Sequence, residues 1–111
     1  MTPTVESIGR ESRRVIHGTA GWTPARWRLP AADGRADRVS VVSELIQSIA
    51  DLAARAEGIT ARTVPVPENE ATLGDQLAVV TADLVAADPG PLEREAAAAA
   101  IAKARAGLFR S

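Results

Sequence analysis

The strongest constraint on the fold comes from residues 36–57, where apolar side chains recur at spacings of three and four residues. This apolar stripe consists of Val39, Val42, Ile46, Ile49, Ala53 and Ala56, flanked by Leu45 and Leu52. The opposite side carries the polar residues Ser40, Glu44, Gln47, Asp51 and Arg55. The pattern predicts an amphipathic helix of about six turns. Asp33 or Asp37 is suited to cap its start, and Gly58 is suited to end it.

Two more helices are predicted on similar grounds. Residues 70–87 follow Asn69, a suitable N-cap, and form one apolar face from Leu73, Leu77, Val80, Leu84 and Ala87. Residues 91–108 begin with Pro91, which favours the first turn of a helix. Their acidic residues lie near the start and their basic residues near the end, an order that complements the helix dipole. The middle of this last helix is rich in alanine, so it offers close approach rather than bulk.

The N-terminal region is less regular. Its apolar residues Val5, Ile8, Val15 and Ile16 predict a short helix before Gly18, although the stretch "RRVIHG" also fits a strand. The segment "GITARTVPVPEN", residues 58–69, alternates valine with proline and predicts an extended connector.

The sequence therefore predicts an all-α fold in a single domain spanning residues 1–111. It is a small bundle of three main helices (about 36–57, 70–87 and 91–108) with a short N-terminal helix and a Trp-bearing loop. We expect residues 1–35 to form an N-terminal arm that includes the Trp/Arg segment, and residues 36–108 to form the helical core. The short connections predict that consecutive helices are antiparallel neighbours.

The apolar content of 46% overstates the core, because almost half of those residues are alanine. Few large side chains remain to offset an ordering cost on the order of 100 kcal/mol for a chain of this length. We therefore expect stabilisation by another protein or by a second copy, as a homodimer. No apolar run has the length of a signal peptide core or a membrane span, so we expect a cytoplasmic protein with no membrane partner.

The charges are unevenly distributed. Residues 1–38 carry seven arginines against four acidic residues, whereas residues 39–91 carry two arginines against eight acidic residues. A basic N-terminal third fits a nucleic-acid partner, and it fits equally well with packing against the acidic middle of the chain. The arginines that would contact nucleic acid are Arg10, Arg13, Arg14, Arg26 and Arg28.

Residues 51–64, "DLAARAEGITARTV", resemble the helix-turn-helix of repressors of the lactose and tetracycline types. In that motif an Ala-rich helix, a glycine turn and a Ser/Thr-led recognition helix follow one another. The matching positions are Ala54, Gly58, Ile59, Thr60, Thr63 and Val64. The resemblance implies DNA recognition by a helix that follows Gly58. Two features depart from the pattern: Glu57 takes the small apolar position, and Pro65 and Pro67 limit the second helix to about one turn.

Residues that carry catalytic chemistry are few. His17 is the only histidine, and a nucleophilic triad would require Ser7, Ser12 or Thr19 beside it. The chain has no cysteine, its acidic residues are too scattered to hold a metal, and no glycine-rich loop precedes a Lys-Ser or Lys-Thr pair. We therefore predict no catalytic residue, no metal site and no cofactor.

The segment "GWTPARWRLP", residues 21–30, contains both tryptophans of the chain. A Thr-Pro pair directly after Trp22 predicts a short helical turn. Trp22 and Trp27 fit the role of anchors that seal a thin helical core. Together with Arg26 and Arg28 they also fit a binding surface, because Trp and Arg dominate interface hot spots and stack on bases or anions.

The function that this sequence favours is that of a non-enzymatic interaction or accessory protein. We expect it to be a homodimer that docks through the alanine-rich last helix or through the Trp/Arg segment. Two alternatives remain open: a small nucleic-acid-associated regulator that uses the N-terminal arginines, and a helical small-ligand-binding protein whose pocket is lined by the tryptophans.

Overall fold

Helices make up the regular structure of residues 2–32, 34 and 36–109, the part of the chain that the computed structural model describes. They are α1 (Val5–Thr19), α2 (Pro24–Trp27), α3 (Arg38–Glu57), α4 (Leu73–Ala86) and α5 (Pro91–Leu108), with a 3₁₀ turn at Glu70–Thr72 before α4. The predicted all-α fold is confirmed.

The ends of α3 follow from the residues that flank it. The side chain of Asp37 accepts a hydrogen bond from the backbone N–H of Ser40 at 2.8 Å, so the helix starts two residues later than the apolar pattern alone suggests. Gly58 ends the helix with φ of 72°, a left-handed conformation that glycine adopts without steric cost. Asp33, the other candidate cap, lies outside the described residues.

The N-terminal helix is longer and more deeply packed than the sequence pattern predicts. It spans 15 residues, and the stretch "RRVIHG" is helical. Its buried face consists of Ile8, Ser12, Val15 and Thr19. Because Ser12 and Thr19 carry hydroxyls, the sequence pattern does not mark this face as buried. Both hydroxyls are hydrogen-bonded: Thr19 donates to the carbonyl of Val15 at 2.9 Å, and Thr81 of α4 donates to Ser12 at 3.2 Å. α1 is therefore part of the core rather than an arm.

The four long helices form a bundle in which α4 and α5 are separated from each other. α3 packs against both of them, and α1 packs against both on another side. Consecutive helices were expected to be antiparallel neighbours, yet α4 and α5 hardly touch although only four residues join them. The joining turn contains Asp88 with φ of 53° and a fully buried Pro89, and Arg94 donates hydrogen bonds to the carbonyls of Pro89 and Pro3. This turn directs α5 away from α4.

One hydrophobic core lies between these helices, and all four contribute to it. Its fully buried large side chains include Ile8, Ile46, Ile49, Leu73, Leu77, Leu84 and Ile101. None of the helices in the described part of the chain combines the length and apolar character needed to cross a membrane.

Candidate functional site

Trp22, Trp27 and Phe109 form an aromatic cluster at one end of the bundle, which we call the Trp cluster. The two indole centroids lie 4.9 Å apart in an edge-to-face arrangement, and Phe109 meets Trp22 at 5.9 Å. Both indoles are buried, with only 9% of Trp22 and 3% of Trp27 exposed. The local fold follows the sequence: Thr23 accepts a hydrogen bond from the N–H of Arg26, and Pro24 occupies the first turn of α2.

Two guanidinium groups lie over the Trp22 ring. The Cζ of Arg26 is 4.9 Å from its centroid and the Cζ of Arg38 is 4.7 Å away, both within cation–π range. Arg28 turns away from the cluster and pairs with Glu70 at 3.1 Å. Three of the four predicted binding residues of this segment therefore come together, with the two indoles buried and Arg26 exposed.

A small cavity of about 150 Å³ lies beside the tryptophans. Its walls include Ile16, Thr19, Trp22, Trp27 and Gly74. Sites for drug-sized ligands usually occupy roughly 300–1,000 Å³. This cavity is therefore too small for such a ligand without movement of its walls.

The basic residues of α1 lie on its exposed side. Arg10, Arg13, Arg14 and His17 face away from the buried residues of the helix. Glu11 attracts Arg14 at 3.5 Å and binds Arg105 of α5 at 2.7 Å. The basic surface of α1 is therefore partly neutralised by its own chain. No group of three His, Cys, Asp or Glu side chains that could hold a metal ion occurs among the described residues.

The segment that resembles a helix-turn-helix does not form its second helix. α3 ends at Glu57, and residues 58–69 form no helix before the 3₁₀ turn. Gln47 holds this connector against α3, because its side chain donates to the carbonyl of Arg62 at 2.9 Å and accepts from the N–H of Val64 at 2.7 Å. Prolines 65 and 67 disfavour a helix at this point. The resemblance implies a recognition helix after Gly58, and this prediction is wrong for this chain.

An apolar stripe runs along the outer side of α5. Leu92 is 77% exposed, the largest exposed fraction among the large apolar side chains of the described residues. Ala99 and Ala106 follow it at intervals of seven residues, and all three are exposed. We call this surface the outer α5 face; it consists of Leu92, Glu95, Ala96, Ala99, Ala102, Lys103 and Ala106.

Charged residues flank this stripe on both sides of Ala99. Glu95 precedes Ala99 by four residues and Lys103 follows it by four. Lys103 also lies 3.6 Å from Glu44 of α3, but both side chains are more than two-thirds exposed. A pair this exposed contributes about 0–1 kcal/mol, so Lys103 can exchange its partner at little cost.

A groove of about 380 Å³ lies between α3 and α5, next to the outer α5 face. We call it the α3–α5 groove. It is lined by Ala31, Ala32, Ala36, Val41, Glu44, Leu45, Ser48, Ala100, Lys103, Ala104, Ala106 and Gly107. Most of these side chains are small and apolar, so the two helices leave a space between them that a larger side chain from outside can enter.

No protein-family model, curated protein or solved structure matches this chain. Two surfaces combine exposed apolar groups with specific geometry: the outer α5 face and the α3–α5 groove beside it.

Proposed function

We propose that this protein is a non-enzymatic interaction protein that forms a homodimer through the outer α5 face. The observation that carries the proposal is the exposed line of Leu92, Ala99 and Ala106 with opposite charges placed symmetrically about its centre. Assembly of two copies would cover this apolar stripe.

The spacing of the stripe favours a second helix as its partner. Residues seven apart stay on nearly the same side of a helix, so they form a continuous line that another helix can follow. Alanine at the contact positions lets the two backbones approach closely, as small residues do at other tight helix crossings.

The charges favour an antiparallel arrangement. A two-fold axis at Ala99 brings Glu95 of one copy to the height of Lys103 of the other, because both lie four residues from the centre. The two-fold axis repeats this arrangement, so opposite charges of the two copies lie at the same height at two places in the dimer. A parallel pair in register would instead place each charge beside the identical charge of the other copy.

The outer side of α4 is a less favourable interface for two identical copies. It exposes Val79 and Ala82, but Asp75 and Asp83 lie four residues before and after Val79. An antiparallel pair centred on Val79 would bring carboxylates of the two copies together, and like charges repel. This contrast makes α4 a matched control surface.

Sedimentation velocity of the wild-type chain and two charge variants tests the proposal. We expect a dimer at micromolar concentration for the wild type, and a monomer for Ala99→Glu because two carboxylates would face each other at the axis. Ala82→Glu, at an exposed alanine of α4, should remain a dimer. A wild-type monomer, or an unchanged Ala99→Glu dimer with intact circular dichroism, would contradict the proposal.

A second candidate function is nucleic-acid binding by α1. It is favoured by the three arginines Arg10, Arg13 and Arg14 on one exposed side of the helix. Binding of this kind weakens steeply with salt. Replacing all three by glutamine should abolish retardation of DNA or RNA at low salt, whereas Arg55→Gln on α3 should leave it unchanged. No retardation of either nucleic acid by the wild type would exclude this function.

A further inference from the structure

We infer that the α3–α5 groove receives Leu92 from the second copy of the chain. The inference rests on the proposed antiparallel dimer, and it adds a specific docking site to that dimer. Each copy then contributes one leucine and one groove, so the interface contains two equivalent sites.

The height of the groove along α5 matches the position of that leucine. A two-fold axis at Ala99 pairs Leu92 with Ala106 of the other copy, since each lies seven residues from the axis. Ala106 lines the groove.

Leu92 also lies on the side of α5 on which the groove opens. At 100° per residue, Leu92 is rotated by about 20° from Ala99 toward the side of α5 that carries Lys103. The groove opens on this side, because Lys103 and Gly107 line it together with residues of α3. A two-fold axis perpendicular to both helices keeps each residue on its own side of the contact. Leu92 of the second copy therefore leans toward the groove.

The lining suits an aliphatic side chain. Alanine methyl groups and Val41 form most of the wall, while Glu44 and Lys103 lie at its edge as an exposed ion pair. The apolar wall would remove from water the most exposed leucine of the described chain.

Nuclear Overhauser spectroscopy on mixed dimers tests the site directly. One copy carries ¹³C-labelled alanine methyl groups and the other carries unlabelled protonated leucine. We expect contacts between copies from the Leu92 methyl groups to Ala106 and Ala36, and we expect these to disappear in Leu92→Ala. A dimer without these contacts would overturn the inference while leaving the proposed dimer intact. A monomer at all concentrations would overturn both.

A double-mutant cycle gives an independent measurement. Ser48→Leu fills the groove from α3, and Leu92→Ala removes its occupant. Each change should weaken dimerisation roughly tenfold, and the double variant should be little weaker than either alone, because the two changes disrupt the same contact. Ser40→Leu, on an exposed part of α3 outside the groove, serves as the control. Fully additive effects of Ser48→Leu and Leu92→Ala would overturn the inference.

Discussion

Replacing Trp22 by alanine removes the central side chain of the Trp cluster. Only 9% of Trp22 is exposed, and its ring forms edge-to-face pairs with two other aromatic rings, Trp27 and Phe109. Truncation of a buried Trp or Phe typically costs about 3–5 kcal/mol, and each aromatic pair adds about 0.5–1.5 kcal/mol to burial alone. We therefore expect a loss of about 4 kcal/mol. Domains of this size have unfolding free energies of roughly 5–15 kcal/mol, so this loss is about a quarter to four-fifths of the total.

Urea unfolding followed by circular dichroism measures this loss, since the signal does not depend on the removed indole. With an m-value of about 1.5 kcal/mol per molar urea, the midpoint should fall by roughly 2.7 M. Arg26→Ala, which removes an exposed side chain stacked on the same ring, should lower it by less than about 0.7 M. All chains must be compared at one concentration, because dimerisation adds to apparent stability. A Trp22→Ala midpoint within about 0.5 M of the wild type would refute the anchoring role.

Two further predictions concern local contacts. A Cβ at Gly18 would lie 2.7 Å from the Phe109 ring, so Gly18→Ala should stabilise α1 by about 0.5–1 kcal/mol only when Phe109 is also alanine. Thermal unfolding of the single and double variants checks this, and equal gains in both backgrounds would contradict it. Gln47→Ala should release the connector and speed hydrogen exchange at Val64, whereas Gln76→Ala, which removes one exposed bond of 3.2 Å, should not. If the Val64 amide of Gln47→Ala exchanges as slowly as in the wild type, Gln47 does not hold the connector against α3.

Local sequence signals predict the individual helices well. The three- and four-residue spacing locates α3, and Asp37 and Gly58 set its ends. α1 is underestimated because Ser12 and Thr19 lie on its buried face, and a count of apolar residues gives no weight to hydroxyls that are satisfied internally. Packing order is harder to predict than helix position. The separation of α4 from α5 depends on the left-handed Asp88 and on tertiary contacts of the turn.

The candidate surfaces are likewise predictable from the sequence only in part. Alanine content alone marks α5 as a helix suited to close approach, and the structure adds which of its alanines are exposed. The α3–α5 groove has no signal in the sequence, because it depends on the distance between two helices that are far apart along the chain. The two tryptophans are recognisable as unusual, but Trp22 is covered partly by Arg38 and Phe109, which the sequence does not place beside it.

Cysteine cross-linking tests the antiparallel dimer most directly, since the chain has no cysteine of its own. Ala99→Cys places one thiol from each copy at the two-fold axis and should give a disulfide-linked dimer under mild oxidation. In the same dimer, Leu92→Cys thiols lie about 21 Å apart along the helix axis and should stay unlinked, as should Ala82→Cys on α4. A mixture of Leu92→Cys with Ala106→Cys should cross-link. If Ala99→Cys remains monomeric, or if Leu92→Cys links to itself as readily, the antiparallel α5 interface is contradicted.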